Sequence, residues 1–129
     1  MTTDPSLGSA TPMILIVDDV SIVAEAVARM LRQGRFAVRT VSSAAAALDA
    51  LEEDGAHYDL LLSDVQLGGM NGFDLARQVR TLYPDLPIVF MSAYVDDTDD
   101  APPFGAPLVA KPFTRNEIIL TVSRAIETS

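Results

Sequence analysis

Five short apolar runs recur along the chain, and segments with helical spacing separate them. Four of the runs are almost unbroken, which is typical of parallel strands that are covered on both faces. The other one, residues 36–41, alternates apolar and polar side chains, which favours the edge of a sheet. The runs are MILIV (13–17), FAVRTV (36–41), YDLLLS (58–63), PIVFM (87–91) and PLVA (107–110).

The intervening segments repeat apolar residues every three or four positions, which predicts helices with one apolar face. Gly55 and Pro84 follow the second and third helices as stop signals. The stretch TRNE (114–117) is a capping box before the last helix. The predicted apolar faces are Ile22, Ala26 and Met30 with Val23, Val27 and Leu31; Ala44, Ala47, Leu48 and Leu51; Leu75, Val79, Leu82 and Tyr83; and Ile118, Ile119, Val122 and Ile126.

This alternation of strands and helices predicts an α/β fold with a doubly wound, five-stranded parallel sheet and right-handed crossovers. We expect one domain over residues 13–127. Residues 1–12 are rich in Thr, Ser, Gly and Pro, and we expect them to form a disordered N-terminal tail.

Composition narrows the classes of function. The chain has 129 residues and a net charge of −9, which argues against direct contact with nucleic acid or an anionic membrane. It has no cysteine, which excludes disulfides and thiolate metal sites. No apolar stretch approaches the roughly 20 residues that span a bilayer, and the N-terminus has no secretion signal. We therefore expect a cytoplasmic protein.

Polar side chains follow four of the five predicted strands. Asp18 and Asp19 follow the first, Asp64 the third, Ser92 the fourth and Lys111 the fifth. Singly, each has a plain explanation as a helix cap, a turn residue or a surface charge. Parallel strands, however, deliver their carboxyl ends to one edge of the sheet, where ligands bind. Together these residues therefore predict a site.

The residue types indicate phosphoryl chemistry at that site. Three aspartates at close range offer the hard oxygen ligands that Mg²⁺ takes, and a shared cation offsets their mutual repulsion. A carboxylate beside such a metal can also attack phosphorus and form an aspartyl phosphate. A hydroxyl and an ammonium opposite the metal would neutralise the phosphoryl oxygens.

These motifs together resemble the receiver domain of bacterial two-component response regulators, over about residues 13–127. The resemblance rests on DD after the first strand, D after the third, SA after the fourth, KP after the fifth, and the segment DVQLGGMNGFDL. It implies a flavodoxin-like receiver fold, Mg²⁺ as cofactor, and a histidine kinase or histidine phosphotransfer domain as phosphodonor. It also implies a switch rather than an enzyme, with Mg²⁺-dependent self-phosphorylation and slow autodephosphorylation only.

Matched by position, the resemblance assigns a role to each residue of the site. It also implies a cis bond between Lys111 and Pro112, and a docking face for the phosphodonor on the exposed side of the first helix, including Glu25, Ala28, Arg29 and Arg32. The implied site roles are Asp64 as phosphoacceptor, Asp19 as direct Mg²⁺ ligand, Asp18 as a ligand mostly through water, the Gln66 backbone carbonyl as a further ligand, Ser92 as hydrogen-bond donor to the phosphoryl group, and Lys111 as its ion-pair partner.

Three departures from the family pattern accompany these matches. Residues 92–113 contain three prolines before the lysine and four aspartates, so we expect the helix between the fourth and fifth strands to be missing or reduced to about one turn. Leu108 stands where the family has a switch aromatic, and Tyr94 is a possible substitute. Gly68 replaces a common proline. We therefore expect a monomer, or a weak dimer that does not use the face of that helix, the fifth strand and the last helix.

Two other functions remain open at this point. A phosphorylation-independent interaction module with the same fold would explain Leu108 and the altered helix. A Mg²⁺-dependent phosphohydrolase would need a general acid two residues after the nucleophile, where this chain has Gln66. The sequence identifies neither the cognate kinase nor the downstream partner, and it fits a stand-alone receiver as well as the receiver of a hybrid kinase.

Overall fold

The computed structural model describes residues 11–93 and 101–127, and its centre is a five-stranded parallel sheet. The strand order is β2-β1-β3-β4-β5, so the predicted fold class is confirmed, and β2 lies at an edge as its alternating pattern predicts. The strands are β1 (Met13–Val17), β2 (Ala37–Val41), β3 (Leu60–Asp64), β4 (Ile88–Ser92) and β5 (Leu108–Ala110).

Four α-helices cover the two faces of the sheet in the described part of the chain. The helices are α1 (Ser21–Gln33), α2 (Ala44–Asp54), α3 (Gly72–Leu82) and α4 (Arg115–Glu127). The buried residues of α2 and α3 share one apolar core with the side chains of one sheet face, and those of α1 and α4 share a second core with the other face. Because alternate strand residues such as Leu15 and Ile16 point into different cores, both sheet faces must be apolar.

Local sequence signals place the helix ends. Gly55 caps the end of α2, as predicted. The capping box before α4 is also confirmed, because the Glu117 N–H donates to Thr114 Oγ1 at 3.1 Å and the Thr114 N–H donates to Glu117 Oε1 at 2.8 Å. At α3, the Asn71 side chain accepts from the Phe73 N–H at 2.7 Å.

The predicted apolar faces of α1 and α3 need correction. The buried face of α1 includes Ala24 and Ala28, whereas Ile22 is 80% exposed and Ala26 is also exposed. Almost every residue from 22 to 28 is apolar, so spacing alone left the face ambiguous, and small alanines allow the helix to pack closely on the sheet. In α3, Leu82 is 62% exposed because it occupies the last turn, beyond the edge of the core.

A short hairpin between β3 and α3 has no counterpart in the sequence prediction. Gln66–Leu67 pairs antiparallel with Met70–Asn71, and Gly68 and Gly69 form the turn. Leu67 is buried in the core shared with α2 and α3, which anchors the hairpin beside the carboxyl end of β3.

The prediction of a shortened helix between β4 and β5 falls largely on residues 94–100, which lie outside the described residues, as does Tyr94. From Ala101 to β5, the described chain contains a 3₁₀ turn at Pro103–Gly105 and no α-helix. Leu108 begins β5 and packs, partly buried, against the core shared with α2 and α3. Among the helices of the described ranges, none has the length and apolar character needed to cross a membrane.

Candidate functional site

Three aspartates meet at the carboxyl ends of β1 and β3. Asp18 and Asp19 directly follow β1, and Asp64 is the last residue of the neighbouring strand β3. One carboxylate oxygen from each lies within 4.8 Å of the others. The parallel pairing of the two strands therefore produces the convergence that the sequence predicts.

Lys111 directly follows the edge strand β5 and forms ion pairs with two of these carboxylates. Its Nζ lies 2.9 Å from Asp64 Oδ2 and 3.4 Å from Asp18 Oδ2. The Lys111 N–H donates to the Ser92 carbonyl oxygen at 2.8 Å, which continues the pairing of β4 with β5 and brings the lysine to the site. The Lys111–Pro112 bond is cis, as the family resemblance implies.

Asp18 is the most deeply buried of the three aspartates. It is 1% exposed, and its Oδ1 accepts from the Val20 N–H at 2.9 Å. Burial raises the pKa of the Asp18 carboxyl, and the charge of Asp64 raises it further, whereas the Val20 N–H and Lys111 act in the opposite direction. Burial thus disfavours the charged form of the Asp18 carboxyl.

Backbone amides of the short hairpin hold the other two aspartates. The Gln66 N–H donates to Asp64 Oδ1 at 3.0 Å, and the Gly68 N–H donates to Asp19 Oδ2 at 3.0 Å. Asp64 is nearly buried, whereas Asp19 and the Gln66 side chain are exposed. The contact of Gln66 with the site is thus made by its amide, and the ligand role of its carbonyl stays a prediction.

Ser92 ends β4 and is buried, one strand away from Asp64. A cleft open to solvent lies beside these residues, and its walls include Asp19, Asp64, Gln66, Gly68 and Lys111. The structure therefore brings together the three aspartates and Lys111. Sequence reasoning missed the backbone amides of Val20, Gln66 and Gly68, each of which donates to one of the three aspartates.

The donor set fits a hard divalent cation. Three carboxylates face one ammonium, and they supply only oxygen ligands, the kind that Mg²⁺ prefers. A thiolate site is impossible without cysteine, and the single histidine, His57, lies in a 3₁₀ turn before β3, at the opposite end of that strand.

Comparison with known proteins identifies the family. The family model described as the response regulator receiver domain matches residues 14–123, so the chain belongs to that family. Sensor kinase CckA of Brucella abortus is 33% identical over 93% of this chain, and response regulator protein FleR of Pseudomonas aeruginosa is 36% identical over 86%. The chain spans only 13% and 24% of the length of these two relatives.

Solved structures agree with this assignment. A sensor protein from Polaromonas sp. JS666 superposes with a TM-score of 0.82 at 31% identity, covering 91% of this chain and 97% of the other. Response regulator protein TrrA from Thermotoga maritima, solved in complex with Mg²⁺-BeF, superposes with a TM-score of 0.81 at 25% identity, covering 89% and 99%. The chain is thus a receiver domain, the phosphoacceptor module of two-component signalling, which in general acts as a switch rather than an enzyme.

Proposed function

We propose that Asp64 accepts a phosphoryl group from the phosphohistidine of a histidine kinase or a histidine phosphotransfer domain, and that the modified domain acts through protein contacts. The observation that carries this proposal is the position of the Asp64 carboxylate. It is held by the Gln66 amide on one oxygen and by Lys111 on the other, close to Asp18 and Asp19.

In the transfer step, a carboxylate oxygen of Asp64 attacks phosphorus. The new O–P bond forms as the N–P bond of the phosphohistidine breaks, and its electron pair goes to the imidazole nitrogen. The ionised carboxylate needs no base, so the task of the protein is to position it and to balance the charge of the phosphoryl oxygens. Lys111 would pair with one of these oxygens, and the Ser92 hydroxyl would donate to another.

Mg²⁺ is the cation that the site would hold. Asp19, Asp64 and the Gln66 carbonyl would bind it directly, and Asp18 mostly through water. When bound, the ion would supply the positive charge that offsets both the aspartates and the incoming phosphoryl oxygens. The related structure of TrrA in complex with Mg²⁺-BeF supports this assignment by similarity.

The exposed face of α1 would receive the phosphodonor. It begins two residues after Asp19 and presents Ile22, Ala26 and Arg29 at successive helical turns. Ala28, which the sequence assigned to this face, is fully buried and cannot contact a partner. An exposed isoleucine on this face is the kind of apolar contact that a docking helix or bundle would cover.

The test is phosphorylation by acetyl phosphate, measured by intact mass with and without Mg²⁺. We expect the wild-type protein to gain one phosphoryl group only with Mg²⁺, and Asp64→Asn to gain none. Asp49→Asn, which alters an exposed aspartate on α2, is the matched control and should label like the wild type. Labelling that persists in Asp64→Asn, or needs no Mg²⁺, would refute the proposal.

One feature favours a second candidate, a phosphorylation-independent interaction module. Leu108 fills the position of the family's switch aromatic and is already partly buried against the core, so no ring is available there to move when phosphate binds. The intact aspartate set and Lys111 argue for phosphorylation. An unmodified wild-type protein at millimolar acetyl phosphate with Mg²⁺ would favour the interaction module, whereas turnover of many phosphate esters would indicate a phosphohydrolase.

A further inference from the structure

The turn of the short hairpin contacts one aspartate of the site through its backbone. The Gly68 N–H donates to Asp19 Oδ2 at 3.0 Å. The two residues belong to segments that are far apart in the chain, since Asp19 follows β1 and Gly68 follows β3. This hydrogen bond thus connects the hairpin after β3 to the Asp19 carboxylate at the end of β1.

The hairpin fixes where this amide lies. Gln66–Leu67 pairs with Met70–Asn71, and the buried side chain of Leu67 packs the hairpin against the core. The approach is also close, because a Cβ added at Gly68 would lie 3.1 Å from Asp19 Oδ2. A side chain would crowd the carboxylate, and a proline would have no N–H to donate.

The geometry assigns Gly68 as a positioning residue for Asp19, one that raises the affinity of the site for Mg²⁺. This inference rests on the proposed function, in which Asp19 is a direct ligand. An exposed aspartate would otherwise sample several rotamers, and binding a cation would have to fix one of them. A hydrogen bond to an ionised acceptor is stronger than a neutral one, so it can fix the carboxylate before the cation arrives.

The same hydrogen bond can persist after the cation binds. A carboxylate has two oxygens and about four lone-pair positions, so Asp19 can accept from Gly68 and still offer a lone pair to Mg²⁺. Partners that orient a metal ligand in this way commonly change metal affinity by about 10-fold or more when they are lost. Because the Gly68 contact is exposed to solvent, we expect an effect at the lower end of that range.

Three substitutions test the contribution of the Gly68 N–H to Mg²⁺ binding. Gly68→Pro removes the N–H, Gly68→Ala keeps it, and Gly69→Ala is the control, since a Cβ there meets nothing within 4 Å in the described part of the chain. Isothermal titration calorimetry gives the Mg²⁺ dissociation constant of each folded variant. We expect Gly68→Pro to raise it about 10-fold and Gly69→Ala to leave it within about twofold of the wild type. Gly68→Ala should fall between them, because it keeps the N–H but places a Cβ 3.1 Å from Asp19 Oδ2.

A purely structural role for Gly68 would give a different pattern. It would lower the melting temperature of Gly68→Pro in Mg²⁺-free buffer without weakening Mg²⁺ binding once the protein is folded. A Gly68→Pro variant that binds Mg²⁺ as tightly as Gly69→Ala would therefore overturn the inference.

An NMR measurement tests the hydrogen bond even if Gly68→Pro fails to fold. In Mg²⁺-free protein, Asp19→Ala should move the Gly68 amide proton upfield and accelerate its exchange with solvent, while the Gly69 amide changes little. An unaltered Gly68 amide in Asp19→Ala would refute the contact itself.

The positioning role of Gly68 and the proposed function can be refuted separately. If the wild type is phosphorylated with Mg²⁺ but Gly68→Pro binds Mg²⁺ normally, only the positioning role is wrong. If the wild type binds no Mg²⁺ at millimolar concentration, the proposed function fails and the role of Gly68 fails with it. The NMR result would then still report whether the amide contacts Asp19.

Discussion

Two features of its surroundings disfavour the charged form of the Asp18 carboxyl. It is buried, and it lies near a second carboxylate, Asp64, with which it shares Lys111 as ion-pair partner. Burial is the main cause of its raised pKa, so the folded protein binds this proton more tightly than the unfolded chain does. The resulting contribution to stability is complete below the ordinary pKa of an aspartate, and it is lost as the pH rises through the raised value.

Replacing this carboxyl should therefore stabilise the metal-free protein. We expect Asp18→Asn to raise the melting temperature by on the order of 3 °C at pH 7, because the amide removes a disfavoured charge and leaves the Lys111–Asp64 pair in place. The difference from the wild type should shrink as the pH falls through the raised pKa of Asp18, because the wild-type carboxyl is then neutral as well. Differential scanning calorimetry over this pH range measures both trends.

With Mg²⁺ bound, the wild type should be more stable than Asp18→Asn. The ion binds the folded protein and adds stability in proportion to the logarithm of its concentration above the dissociation constant. Asp18→Asn should gain less from Mg²⁺ than the wild type does, since it has lost one ligand group. An equal gain in both proteins would show that Asp18 has no part in the cation site.

At the level of elements, the loop between β3 and α3 sets the position of Asp64. Gly72 starts α3, and its N–H donates to the Val65 carbonyl oxygen at 2.6 Å. A Cβ at Gly72 would collide with the backbone carbonyl of Asp64. The first turn of α3 thus packs directly on the last residue of β3, with no room for a side chain.

Gly72→Ala should consequently destabilise the protein by about 2–3 kcal/mol, the upper part of the range for an overpacked core, and lower its rate of phosphorylation by acetyl phosphate. Gly69→Ala, three residues earlier, serves as the control and should leave both quantities nearly unchanged. Urea unfolding and intact mass measure the two effects. A Gly72→Ala protein with wild-type stability would contradict this tight packing of α3 on β3.

Helix α1 carries a separate prediction about the phosphodonor. Ile22→Glu should leave the free energy of unfolding within about 0.5 kcal/mol of the wild type, because its side chain is 80% exposed. It should slow phosphotransfer from a histidine kinase about 10-fold by placing a charge in the contact. Transfer from acetyl phosphate should not change.

Leu82→Glu is the matched control for Ile22→Glu. It replaces another exposed apolar residue, 62% exposed, at the end of α3 rather than on α1. Its rate of phosphotransfer from the same kinase should equal that of the wild type. If both variants slow transfer equally, the effect is one of net charge and the docking face on α1 is wrong.

For the whole molecule, the sequence predicted the features that depend on repeated patterns. Buried parallel strands are almost continuously apolar, so the five runs and their order were visible. Asp18, Asp64 and Lys111 could be found because each directly follows or ends a strand, and parallel topology brings those ends together. The residue types indicated Mg²⁺ and phosphoryl chemistry, and the family motifs assigned the phosphoacceptor role to Asp64, which stays a prediction.

The features that escaped prediction depend on contacts that leave little trace in the sequence. The Gly68 amide is a backbone donor, and every residue except proline has one. The buried face of α1 was predicted only in part, since Val27 and Leu31 are buried, but packing on the sheet selected Ala28 over Ile22. The two-residue strands of the hairpin are too short for any alternating pattern.

The most direct test of the phosphoacceptor assignment is chemical mapping of the modified residue. Borohydride reduces an acyl phosphate to an alcohol, so an aspartyl phosphate becomes homoserine at the position that carried it. After treatment with acetyl phosphate and Mg²⁺ followed by borohydride, peptide sequencing by mass spectrometry should find homoserine at position 64. Homoserine at another aspartate, or none in a protein that has gained a phosphoryl group, would contradict the assignment of Asp64.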